Sequence, residues 1–434
     1  MEKFAESAVS GAYYTGTSQA LRYAEEHIHR YQALRTQRAL FEYDWDDQIK
    51  YLLPGADDIT EERSPGQSRT EYLMDSQPLL GPQTLASNLQ GAITNSAIQW
   101  FLLGFSAPQL KLAQPVTQWL GQCDTLLLSA YNASNFYQQS HVFYLHLGTF
   151  GTAAMYCASR LGSQGTRLHY KTLPMGSYCI AENADGRVDT LYRDVWLSAR
   201  QAMQLFEGQV SDEVRQAAND ARKQDTLIKF LHCVYPRSDR NPGKANNRNM
   251  PFASQYFEEK TKYVNDETGY HEFPFLVSRW ETLSRAPWGF GPGHIALPDV
   301  RMLNTLRELN MQQLALWVTP PLMALHEGVL GSISLQARAL NTVMQMDAIR
   351  PIDLTGRPDL VQINQEDLRR SIQDIFFVNA LQSLPPPGTG NMTAFEVAQR
   401  IEQMQRLMGP AFQRILVEML DPLADRTFGL LWRA

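Results

Sequence analysis

Basic excess is missing from this 434-residue chain. Lys and Arg number 39 against 45 Asp and Glu, for a net charge of −6 and a pI near 5.9. A tight, general nucleic-acid binder would show the opposite balance. A protein that lets DNA slide past is not excluded, because strong phosphate contacts would brake the sliding. Cysteine is sparse: Cys123, Cys157, Cys179 and Cys233 lie far apart with no CxxC spacing. That argues against a disulfide framework or zinc site and fits a reducing cytosol. The opening MEKFAESAVSG has no basic region followed by an apolar run, so no signal peptide is expected. Long apolar runs are absent too. Residues 97–107 are too few to span a bilayer, and 314–325 is broken by Pro320 and Pro321. The expectation is a soluble chain made inside the cell.

Catalytic signatures are equally scarce. Neither Ser134 nor Ser284 sits in a G-x-S-x-G elbow, and the cysteines carry no nucleophile signature. No GxxxxGK[ST] tract occurs, which excludes a P-loop ATPase. Gly289-Phe-Gly-Pro-Gly293 lacks the last glycine of GxGxxG and contains Pro292, so it reads as a chain-reversing connector. Asp44, Asp46, Asp47, Asp57 and Asp58 read as a solvated face, since a metal-dependent nuclease needs carboxylates converging from separate elements. His27 and His29 point to different helix faces, the wrong spacing for a shared metal. No cofactor, metal or catalytic residue is expected.

What is present is an α+β pattern, mainly helical. Helices are expected over 17–50, 83–104, 114–158 and a short stretch after Ser198. Residues 166–197 read as a hairpin or meander around Asp185-Gly186, with further strands at 227–236, 253–264 and 271–280. The loop 237–249 carries Arg237, Arg240, Lys244 and Arg248 against Asp239 and reads as a solvated, mobile segment. Pro298 is expected to open a helix of roughly 20 residues, about 30 Å long, that ends at Pro320-Pro321. Its stripe includes Val300, Leu303, Leu306, Leu309, Leu314 and Trp317. A second helix is expected from near Asn364, with stripe Leu368, Ile372, Ile375 and Phe376. Between them lies a small insert. After them come Ser383, Leu384, Pro385, Pro386, Pro387, Gly388, Thr389, Gly390 and Asn391, a stiff run with a glycine hinge. Thr393-Ala-Phe-Glu396 is a capping box that opens a last helical region, broken at Gly409-Pro410. A helix pair carrying a small tip suits copies packed side by side around an axis.

Several blocks resemble the head-to-tail connecting (portal) proteins of short-tailed double-stranded DNA phages. SNFY (Ser134–Tyr137) with FGTAAM (Phe150–Met155) is similar to that family's second helical block. YRDVWLSARQAMQLF (Tyr192–Phe206) is similar to its wing segment, and HCVYPR (His232–Arg237) with FPFLVSRW (Phe273–Trp280) to its strands. GFGPGHIALPDVRMLN (Gly289–Asn304) resembles the connector into its stem helix, and Met392–Pro410 the helix after its tunnel loop. The blocks occur in order over about residues 30–430, and the order makes the signal specific.

The resemblance implies a subunit with wing, stem, clip and short crown that assembles as a homo-dodecameric ring. Residues 1–297 would form the wing, Pro298–Met323 one stem helix and Gln365–Ala380 the other. Ala324–Asn364 would be the clip, Leu381–Met392 the tunnel loop, and 393–434 wing and crown helices. The clip, with Arg338, Arg350, Arg357, Asp347 and Asp353, would meet the terminase and then the tail adaptor. Stem packing would use Leu303, Leu306, Leu314, Trp317, Leu368, Ile372, Ile375 and Phe376 against neighbouring stems. Other implied partners are double-stranded DNA in the channel, major capsid and scaffolding proteins, and internal ejection proteins. The virion portal vertex is the implied location. A ring of twelve would carry about −72 charges, a field that repels phosphates. The competing reading is another ring-forming head-tail adaptor without catalytic activity.

Overall fold

The computed structural model describes residues 3–4, 17–60, 69–104, 114–162, 165–244, 246–265, 267–282, 285–324, 349–351, 358–378, 402, 406 and 408–433. Strand β1 (Lys3–Phe4) comes first, then four helices: α1 (Thr17–Leu52), α2 (Gln77–Ile93), α3 (Gln114–Asn132) and α4 (Phe136–Phe150). Next come β2 (Thr152–Gly162), β3 (Gly165–Thr172), β4 (Tyr178–Glu182), β5 (Val188–Ser198), α5 (Ala199–Leu205), α6 (Asp212–Asn219), β6 (Leu227–Pro236), β7 (Phe252–Glu258), β8 (Thr268–Tyr270) and β9 (Phe275–Arg279). The remainder is α7 (Pro292–Val318), β10 (Leu322–Ala324), β11 (Ile349–Pro351), α8 (Pro358–Ile375), α9 (Pro410–Ile415) and α10 (Asp421–Trp432). The fold is α+β, as the sequence pattern implied.

Strand β2 is the pivot. It pairs antiparallel with β3 along one edge and with β9 and β1 along the other. Its side chains alternate between two cores, as the pleat requires. Ala153, Met155 and Cys157 enter a helical core with Leu85, Leu89, Phe143, Leu147 and Ile415. Ala154, Tyr156 and Ala158 enter a second core shared with Tyr178, Ile180, Leu191 and Val234 of the other sheet. That sheet is the antiparallel meander β4–β5–β6–β7–β8. Helix α1 covers its far face through Ala24 and Tyr31, packed on Tyr192, Leu231, Cys233 and Phe257.

Polar side chains close exposed strand edges that would otherwise offer unpaired backbone groups. Arg38 of α1 donates to the carbonyls of Gly176 and Tyr178 at the β4 edge. Glu418, in a π turn (Leu416–Leu420) between α9 and α10, accepts from the Arg279 backbone N–H at 2.8 Å and from its guanidinium at 2.6 Å. Glu182 pairs with the same buried guanidinium. The C-terminal helices are thus tied to β9 by a charge-assisted network.

Four expectations need correction. Residues 151–158 form a strand, not the end of a helix. Gly151 caps α4 in the left-handed region at φ 70°, which ends the helix there. Residues 94–104 are not helical, because the Asn95 side chain accepts from the Ala97 N–H and offers the backbone an alternative to the next helical turn. Helix α7 opens at Pro292 and carries Pro298 inside it, and α8 opens at Pro358. Both prolines at first helical positions bring a φ already suited to a helix. The basic loop is exposed over Ser238–Lys244, as expected of a solvated segment, and only its first residue is held, Arg237 forming a buried ion pair with Glu267 at 2.6 Å.

Candidate functional site

The feature with the strongest functional pattern is the pair α7 and α8. Its root is set by three glycines. The connector Gly289–Gly293 lies directly on the corner between α4 and β2. A Cβ on Gly291 would stand 2.7 Å from the Gly151 Cα, and one on Gly293 would strike the Thr149 carbonyl. Only glycine allows two backbones to meet so closely. The Gly289 N–H donates to Thr152 Oγ1 at 2.7 Å, and the Trp280 N–H to the Gly151 carbonyl at 2.8 Å. Two blocks of sequence far apart in the chain, FGT and GFGPGH, therefore interlock. His294 sits in this root with its pKa pushed down to about 4 by burial, so its ring is neutral and Nδ1 accepts from the Gly291 N–H at 3.2 Å.

Above the root, the lower half of the pair is held by its own chain. Leu303, Ile372 and Phe376 are buried in the helical core with Leu85 and Ala86. The Phe376 ring fills the space beside Gly81, where a Cβ would stand 2.6 Å from the ring. Polar cross-links surround this contact. Asn304 accepts from the Met74 N–H at 2.7 Å and donates to the Tyr72 carbonyl at 2.8 Å, so one amide grips a loop as a strand would. Asp75 of that loop, with its side chain 5% exposed, pairs with Arg369 of α8 at 2.6 Å. Arg301 pairs with Asp47 of α1. Ser371 donates to Asp299 at 2.8 Å, and Arg307 to Gln365 at 3.4 Å.

The upper half of α7 differs. Beyond Arg307 no side chain of the helix is fully buried. The helix nonetheless stays apolar: Leu309 is 54% exposed, Met311 57%, Leu314 and Leu316 46%, and Val318 81%. After Pro320-Pro321, β10 pairs antiparallel with β11, with Met323 opposite Arg350, so the tip begins and ends on one two-stranded ribbon.

These positions resolve the expected sites as follows. Leu303, Ile372 and Phe376 are internal core; Leu306, Trp317, Leu368 and Ile375 are half-buried; Leu314 is exposed. Arg350 lies on β11, whereas Arg338, Asp347, Asp353, Arg357 and all of Ser383–Asn391 fall outside the described residues. The sequence reading missed Met302, Met311, Leu316 and Val318. Their signal was an apolar surface too wide for a single stripe. It also missed Asn304, Asp75 and Arg369, which local sequence could not reveal because their partners are distant.

Asp46 and Asp47 hold the structure together, while Asp44 is exposed. Asp46 accepts from the Ile59 N–H at 3.3 Å and from Thr60, and Asp47 holds Arg301. His27 Nδ1 lies 2.7 Å from the Tyr192 hydroxyl. Among the described residues, no group of three or more His, Cys, Asp or Glu could hold a metal, and no helix is long and apolar enough to cross a membrane.

The probable portal protein of Bordetella phage BPP-1 is 30% identical over 418 residues, covering 92% of this chain and 73% of that protein. The portal protein of Salmonella phage epsilon15 is 28% identical over 411 residues, with the same coverage of 92% and 73%. Among solved structures, a chain from the virion of a native gene transfer agent particle matches at a TM-score of 0.37 and 11% identity, covering 88% of this chain and 86% of its own. A chain from the neck of an empty particle of that agent matches at 0.38 and 11%, covering 86% and 84%. The profile described as Bacteriophage head to tail connecting protein matches residues 24–434, nearly the whole sequence, and the chain belongs to that family.

Proposed function

We propose that this chain is a portal subunit: copies form the ring at one capsid vertex through which double-stranded DNA is packaged and later ejected. The observation that carries the reading is the α7–α8 pair, anchored at its root while, among the described residues, the upper half of α7 is apolar and exposed. Such a surface is unfavourable on an isolated chain and marks an association site. Family membership and two relatives named as portal proteins point the same way. The protein acts as a conduit and not as an enzyme.

In this reading the ring is a dodecamer, with residues 1–297 as wing, α7 and α8 as stem, and 324–364 as clip. The clip docks the terminase during packaging and the tail adaptor afterwards. Pro385–Pro387, followed by Gly388 and Gly390, makes a stiff collar with a hinge that faces the duplex. Capsid and scaffolding proteins contact the wing, and internal ejection proteins the crown. The mature ring resides in the virion. Strong phosphate binding is not needed for a conduit, which accords with the acidic composition. Native mass spectrometry tests this directly. A species near twelve times 49.3 kDa is expected, whereas a persistent monomer under assembly conditions overturns the reading.

A further inference from the structure

The apolar surface of upper α7 is arranged in a way that says how copies meet. At about 100° per residue, Met302, Leu309 and Leu316 fall along one side of the helix. Met311, Leu314 and Val318 fall along the roughly opposite side. All six are between 46% and 81% exposed. Between the two flanks, on the side away from α8, runs a polar strip of Arg301, Thr305, Glu308 and Gln312, each exposed. The helix faces α8 and its own core through Asp299, Leu303 and Arg307, and Leu314, about 20° around the axis from Arg307, borders that side. Among the described residues, the helix therefore carries exposed apolar side chains on both sides of its polar strip, the Met311–Leu314–Val318 flank bordering α8.

A foreign partner that covered both flanks would have to wrap around the polar strip or around α8. A second copy of the chain needs no such wrapping, because each flank can supply the cover for the other. Surfaces that differ on the two sides of one subunit make a heterologous contact, which closes into a ring when the rotation allows. We propose that the Met302–Leu309–Leu316 flank of one copy packs on the Met311–Leu314–Val318 flank of the next, in one direction around the ring. The inference rests on the ring reading above and adds which side chains meet. It separates them from Leu303, Ile372 and Phe376, which are spent within the chain's own core.

Rotation about a ring axis keeps equal residue numbers at equal height. Leu309 and Met311 differ in height by only about 3 Å, so they approach each other across the contact. Within one helix, residues two apart do not face each other, which prevents a bond inside the subunit. The native cysteines are all buried. The test is a short bismaleimide applied to the full-length chain carrying L309C, M311C or both. The double variant is expected to give a ladder of covalent oligomers that ends at the ring, and each single variant to stay uncrosslinked. Single variants that crosslink to dimers and stop would show a two-fold contact and overturn the proposal. So would an intact ring, seen by native mass spectrometry, whose double variant gives no ladder; the ring reading would then survive without this pairing. A monomeric parent chain would overturn both.

Discussion

Leu303 and Leu314 lie on the same face of α7, yet Leu303 is fully buried and Leu314 is 46% exposed. The difference comes from what the rest of the chain provides at each height. Around Leu303 stand α2, α8 and the 69–76 loop, with Asn304 and Asp75 fixing their positions. Around Leu314 the described chain gives no full cover. One residue type on one helix is thus enclosed by the chain's own core at one end and left exposed at the other. An apolar stripe read from sequence cannot distinguish these uses, because periodicity reports which side chains share a face and not what lies opposite.

The sharpest way to break the comparison is at Leu303. Replacing it with Ala should cost about 2–5 kcal/mol of folding stability, measured by urea denaturation of the unassembled chain. A negligible loss together with abolished assembly would move Leu303 to an interface. Asp75→Ala should come next, at about 1–3 kcal/mol, because Arg369 and the Gln77 N–H lose a buried acceptor. Its mark should be faster hydrogen exchange in α8 than in the meander sheet; equal exchange in both would refute the anchoring role. A further test concerns pH and the buried histidines. His27, His146 and His294 are each held to about 4 by burial, below the ordinary value of 6.5. Between those values the unfolded chain takes up protons that the folded chain refuses. Stability is therefore fully present above about pH 6.5 and declines as pH falls towards 4. The thermal midpoint should drop from pH 7 to pH 5, and His146→Gln should flatten the slope. An unchanged slope in that variant would contradict the cause.

Much of the fold was legible. Asp185-Gly186 marked the β4–β5 turn, where Gly186 takes φ 74°, and the α1 boundaries followed from composition and the Pro54-Gly55 stop. Strand β2 was not legible, because a strand buried on both faces reads as a continuous apolar run, like a buried helix. The start of α7 was masked by Pro298, which looks like an opening residue but sits within the helix. At the candidate site, the helix pair and its stripe could be read from spacing. The cross-links through Asn304, Asp75 and Arg301 could not, because each joins segments brought together only by folding.

The seat of α7 on Gly151 has a mechanical side. Where Gly289, Gly291 and Gly293 rest on that corner, main chain meets main chain with no side chain between. A methyl group on any of the three would need space that the facing main chain already fills. Substituting alanine at Gly289, Gly291 or Gly293 would therefore lever the whole helix pair off the sheet, although the altered residue lies far from the exposed end.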